Sequence, residues 1–166
     1  ADRIDSVRDS IGLLLDTSGS NIALSFSATD SWDRAFSAIN FASDFGPHTK
    51  MLASSSEYAS NVLPVMQLAR HHGVQLEFIP DDENGITDVA AFESMLDDQV
   101  AVVMIKHGQS QKELINPVAA IGHALEREQS NSWYLVEEWQ SVGQMQMDVT
   151  EIGADFLSVT GRVDIA

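Results

Sequence analysis

At 166 residues and 44% hydrophobic content, the chain can enclose one core and is too apolar for a disordered segment. Nine basic against 25 acidic residues give a formal net charge of −16, which argues against a nucleic-acid partner, since such binding rests on clustered Lys and Arg. With no cysteine, disulfides and thiolate chemistry are excluded.

No run approaches the roughly 18 apolar residues that a membrane span needs. Ala1-Asp-Arg-Ile-Asp lacks the basic-then-apolar layout of a signal peptide. A cytoplasmic protein, with neither nucleic acid nor membrane as partner, is the expectation. The acid excess reads as a solvated surface, or else as a docking face for a basic partner.

Along the chain, Ile4, Val7, Ile11, Leu14 and Leu15 recur at helical spacing, and Asp16-Thr17-Ser18-Gly19 ends that helix. Short apolar runs then alternate with helical patterns. The predicted strands are Ile22–Ser27, Lys50–Ser54, Gln75–Ile79, Val100–Ile105, Trp133–Glu137 and Asp155–Val159. Helices are expected near 29–43, 58–72, 88–97, 116–128 and 148–152, with Gly73 as a stop and Asp88 as a start. Strands apolar on both faces and separated by helices predict a three-layer α/β/α domain with a mostly parallel sheet. One domain is expected over 1–166, a helix over 1–20 leading into an α/β core over 21–162. Ligands in such sheets bind beyond the C-terminal strand ends.

Ser27-Ala28-Thr29-Asp30 opens a helix with backbone N–H groups, a hydroxyl and a positive dipole end, which suit a phosphate or serve as an ordinary cap. Glu57-Tyr58 follows the Lys50–Ser54 run, and its ring suits stacking on a ligand or packing on the sheet. Lys106-His107-Gly108-Gln109-Ser110-Gln111 follows Val100–Ile105, where His107 is a base or a structural histidine. Lys106 ends its strand and reads as a solvated side chain, or as the one lysine able to reach a cleft at the strand ends. Glu137-Glu138-Trp139-Gln140 follows an apolar strand, and Thr160-Gly161-Arg162-Val163 follows another. His71-His72 has no third ligand at a useful spacing, and Asp81-Asp82-Glu83-Asn84-Gly85 lacks the alternating ligands and closing Glu of a calcium loop. No metal site is expected.

Taken in order, these strand-end segments resemble those of the pyridoxal-phosphate (PLP) enzymes of aminotransferase class V, the fold-type I group that holds cysteine desulfurases and isopenicillin N epimerase-like proteins. The resemblance runs from about Ile22 to Arg162. It implies the large-domain fold of that group and PLP as cofactor. It places Thr29, with Asp30 beside it, and Thr160 and Arg162 at the phosphate. Tyr58 is implied on the pyridine face, Glu137 at the pyridine nitrogen, and Gln111 and Gln140 at the phenolic oxygen.

Departures cluster on the chemistry: Asp30 beside the phosphate, Gln for Asn at 111, Glu for Asp at 137, and the bulky Trp139. The position of the Schiff-base lysine is Val163, so no catalytic residue is assigned. The resemblance covers only the first part of the family's large domain. A truncated or degenerate domain that holds PLP without a covalent link, or has lost it, is therefore expected, family chemistry being transamination or C–S lysis on amino acids. An active enzyme with its remainder elsewhere and a non-catalytic α/β association module are the alternatives. A homo-oligomer or protein partner is expected with either.

Overall fold

The computed structural model describes residues 2–109, 114–138 and 148–160. Its centre is a five-stranded parallel sheet made from β1 (Lys50–Ser54), β2 (Gln75–Ile79), β3 (Val100–Lys106), β6 (Trp133–Glu138) and β7 (Phe156–Val159). The strand order is β2-β1-β3-β6-β7, every pair parallel. Between β3 and the following helix, β4 (Gly108–Gln109) and β5 (Leu114–Ile115) form a small antiparallel ladder outside the predicted strands.

Alternate residues of the central strands are buried on opposite faces, the period-2 consequence of the pleat. Met51, Ala53, Val102, Met104 and Leu135 face α2 (Ala28–Ala42) and α3 (Ala59–His72), meeting Trp32, Phe36, Ile39, Val65 and Leu68. Leu52, Val103, Ile105 and Val136 face the other layer, formed by α1 (Asp2–Leu14), α4 (Val89–Met95), α5 (Val118–Arg127) and α6 (Val149–Ile152). There they pack with Leu15, Phe92, Ile121, Ala124 and Ile152. Three layers result, as the apolar pattern and the resemblance imply, and the parallel sheet is covered on both sides.

Local chemistry sets the boundaries. Asp88 caps α4 by accepting the N–H groups of Ala90 and Ala91 at 2.8 and 3.1 Å. Gly73 ends α3 in the left-handed region at φ 75°, a conformation that costs glycine little. Asp148 caps α6 in the same way as Asp88.

One predicted strand is absent. Among the described residues Ile22–Ser27 pairs with no strand of the sheet, and it forms the extended approach to α2. Phe26 is 97% exposed, and Leu24 is exposed with it. The apolar run looked like a doubly buried strand, but such a strand needs a ladder partner. Here the Ser27 hydroxyl caps Asp30, and Ser25 donates to the Ser27 carbonyl instead. The α1 face also departs from expectation, since Leu15 is buried while Ile4, Val7 and Leu14 stay exposed.

Candidate active site at the C-terminal strand ends

The strand ends gather an unusual set of buried polar side chains, among them Ser54, Lys106, His107, Asn116, Glu137, Glu138 and Ser158. Register explains the grouping. Lys106 of β3 is aligned with Glu137 of β6, and Glu137 with Ser158 of β7. Lys106 and Glu137 continue the alternation of Met104 and Leu135, so both lie on the α2/α3 side of the sheet. His107 and Glu138 continue that of Ile105 and Val136, on the opposite side.

The turn after β1 is built around Glu57. Its Oε1 accepts the Tyr58 N–H at 3.0 Å and the Asn61 amide at 2.9 Å. Its Oε2 is buried and has no hydrogen-bond partner among the described residues. Burial pushes the Glu57 carboxyl above the usual carboxylate range, against the opposing pull of Asn61, the Tyr58 N–H and the Lys106 charge. Tyr58 begins α3, and the Lys106 ammonium lies over its ring, 3.5 Å from the centroid. A cation on an aromatic face at that distance is an attractive, desolvated contact. Lys106 is only 4% exposed. The expectation of a solvated lysine is overturned, because the Tyr58 ring, with Glu57 close by, replaces water around its head group.

Asn116 ties the neighbourhood together, a role the sequence reading missed because it looked like part of a helix start. Its side-chain oxygen accepts from the Thr87 N–H and hydroxyl at 2.9 and 3.0 Å. Its amide donates to the Lys106 carbonyl at 2.6 Å and to Ser56 at 3.2 Å. The Lys106 N–H in turn donates to the Ser54 hydroxyl at 3.1 Å. On the far face His107 pairs through Nδ1 with the fully buried Glu138, and its N–H donates to the Glu137 carbonyl at 3.0 Å. Burial and the nearby Glu138 charge push the Tyr134 hydroxyl well above its ordinary range, and that hydroxyl donates to the Val118 carbonyl at 2.9 Å.

At the β7 end the Ser158 hydroxyl donates to the Ala28 carbonyl at 3.2 Å, which holds the first turn of α2 against the sheet. Thr29 and Asp30 lie in that turn. Asp30 is turned onto its own helix, accepting from the Phe26 N–H at 3.3 Å and from Arg34 Nε at 3.0 Å. Tyr58, Lys106, Glu137 and Ser158 thus run across four adjacent strand ends to the turn that holds Thr29. Thr160 directly follows β7 and is half-buried. Gln111, Gln140, Arg162 and Val163 lie outside the described residues, as does Trp139. The cavity of about 500 Å³ lined by Asp44, His48, Gln99 and Trp133 opens at the other end of the strands, away from this polar set.

Comparison with known proteins follows the same lines. The family model for aminotransferase class-V matches residues 1–162. A probable cysteine desulfurase from Pyrococcus abyssi is 33% identical over 113 residues, 68% of this chain and 27% of that protein. The apo structure of a cysteine desulfurase from Thermococcus onnurineus NA1 superposes with a TM-score of 0.87 at 23% identity, covering 96% of this chain and 39% of that one. A C-DES mutant with glycine covalently linked to its PLP cofactor gives a TM-score of 0.81 at 20% identity, covering 95% and 41%. The chain therefore spans well under half the length of these proteins. The family match extends over nearly the whole sequence and over every strand described above, and the chain belongs to the aminotransferase class-V family.

Proposed function

We propose that this chain carries the PLP-binding sheet of a class V enzyme acting on a small amino acid of the cysteine type. The observation that carries the reading is Glu137, a carboxylate 3% exposed at the end of a central strand, between Lys106 and Ser158. A carboxylate at that strand end, on the same side of the sheet as Lys106 and Tyr58, suits the protonated nitrogen of a pyridine ring, which a charge-assisted hydrogen bond would hold in its charged form.

The other residues fit the cofactor as well. The positive end of the 15-residue helix α2, held by Ser158, suits a phosphate, with Thr29 as a hydroxyl donor. Asp30 does not oppose this, because its charge is taken up by Arg34 and the Phe26 N–H. Tyr58 offers a ring face, and the unpartnered Oε2 of Glu57 beside it marks a polar demand that the described residues leave unmet. When bound, PLP supplies an electron sink for a carbanion formed on an amino acid. Glu137 would keep the ring nitrogen protonated, and Tyr58 would cover one face of the ring and exclude water from it. Thr160 and Arg162 would add to the phosphate contacts, and Gln111 and Gln140 would orient the phenolic oxygen. The names of the cysteine desulfurases it resembles support the substrate class.

The test is retention of PLP after dialysis, followed by absorbance, in the wild-type chain and in Glu137→Gln. Loss of the charge should weaken retention roughly ten- to a hundredfold, the worth of one charge-assisted bond. Equal retention in both proteins would overturn the reading.

A further inference from the structure

The family position for the Schiff-base lysine is Val163, yet the strand ends hold a lysine that no family role assigns. Three lysines are present, at 50, 106 and 112. Lys50 opens β1 at the opposite end of the sheet, where it pairs with Asp97. Lys112 lies outside the described residues. Lys106 is buried on the α2/α3 side, over the Tyr58 ring and aligned with Glu137.

From this placement we infer that Lys106 is the amine that links covalently to the cofactor aldehyde in this chain, in place of the missing lysine at 163. The inference rests on the PLP-binding reading above. In the sheet, β6 and Glu137 separate β3 from β7. The same carboxylate thus lies between the usual lysine position and Lys106, and an amine can approach the aldehyde from the β3 side.

Burial suits the chemistry. A lysine head group removed from water and held over an aromatic ring is the kind of desolvated amine that adds to carbonyl carbons. Nζ adds to the aldehyde carbon, the carbon–oxygen bond breaks, and a carbon–nitrogen double bond forms. The oxygen leaves as water, taking two hydrogens from the ammonium nitrogen, so the linkage keeps one positive charge and consumes neither oxidant nor reductant. Glu57, which feels the Lys106 charge, is the acid placed to carry the proton out and back. Asn116 and Ser54 hold the Lys106 backbone at the strand end, so the amine is presented from a fixed point.

The experiment treats the full chain with PLP, removes excess by dialysis, reduces with borohydride and maps pyridoxyl-bearing peptides by mass. The expected result is one pyridoxyl group per chain on the peptide containing Lys106. In Lys106→Arg, which keeps the charge without a primary amine able to condense, the adduct should fall roughly tenfold or more. Lys50→Arg should leave it unchanged, and circular dichroism of all variants checks that each folds. If Lys106→Arg does not fold, peptide mapping of the wild-type chain decides alone. Retention of PLP without an adduct on Lys106, or with adducts only on Lys50, Lys112 or the N-terminal amine, overturns this inference and leaves the PLP-binding reading standing. Failure of the wild-type chain to retain PLP overturns both.

Discussion

Glu57 sits in an electrostatic conflict at the end of β1. Its carboxyl is held above the ordinary range by burial, even though Asn61, the Tyr58 N–H and Lys106 all favour the charged form. The sign of the linkage follows from that. The folded chain keeps its proton to higher pH than the unfolded chain, whose carboxyl titrates near pH 4.3. The group therefore adds its full share of stability below that pH and loses it as pH rises through the folded value. Glu57→Gln keeps an acceptor for Asn61 and removes the charge. It should raise the urea midpoint at pH 7, and the gain should vanish in melts run below pH 4. A variant equally stable or weaker at pH 7 would show that the contact with Lys106 outweighs burial. Much of this set was visible as residue types along the chain, Tyr58 and Glu137 among them. The burial of Lys106 was not legible, nor were the roles of Asn116 and Glu138, because these come from packing and from partners 10 to 60 positions away.

Among the elements, the packing of α5 on α6 depends on the absence of a side chain. A Cβ placed on Gly122 would lie 2.0 Å from the Ile152 carbonyl oxygen and 3.5 Å from the Tyr134 ring. Since the obstacle is backbone, it cannot rotate away. Gly122→Ala should force the two helices apart and cost about 1–3 kcal/mol in chemical denaturation, despite the better helix propensity of alanine. A neutral or stabilising result would mean that α6 yields freely. Helix and strand placement was largely legible in the alternation of apolar spacing, with β1 and β2 matched at both ends. The Ile22–Ser27 segment was not. Its run of Ile22, Leu24 and Phe26 has strand-like composition, but pairing is decided by what lies beside a segment, and among the described residues no strand lies there.

Across the whole molecule, the exposed apolar side chains concentrate on α1 and the segment after it: Ile4, Val7, Leu13, Leu14, Leu24 and Phe26. Leu63, Met66 and Phe78 add a second group on α3 and the edge strand β2. Isolated apolar residues on a surface are ordinary, but groups of this size favour a partner. An unpaired strand edge adds hydrogen-bonding groups with the same tendency. The chain should therefore form dimers or larger species in light scattering, or bind an apolar dye while monomeric. A stable monomer at high concentration with no dye binding would refute this. From the sequence alone came the layered α/β class, the order of its elements and the family resemblance, because apolar periodicity and strand-end motifs are local properties of the chain. Only the tertiary structure decided which polar residues share a site. The parallel register sets Lys106 beside Glu137 and Glu137 beside Ser158, pairings across 31 and 21 positions. Burial then turned a lysine expected in solvent into a desolvated amine at the strand ends.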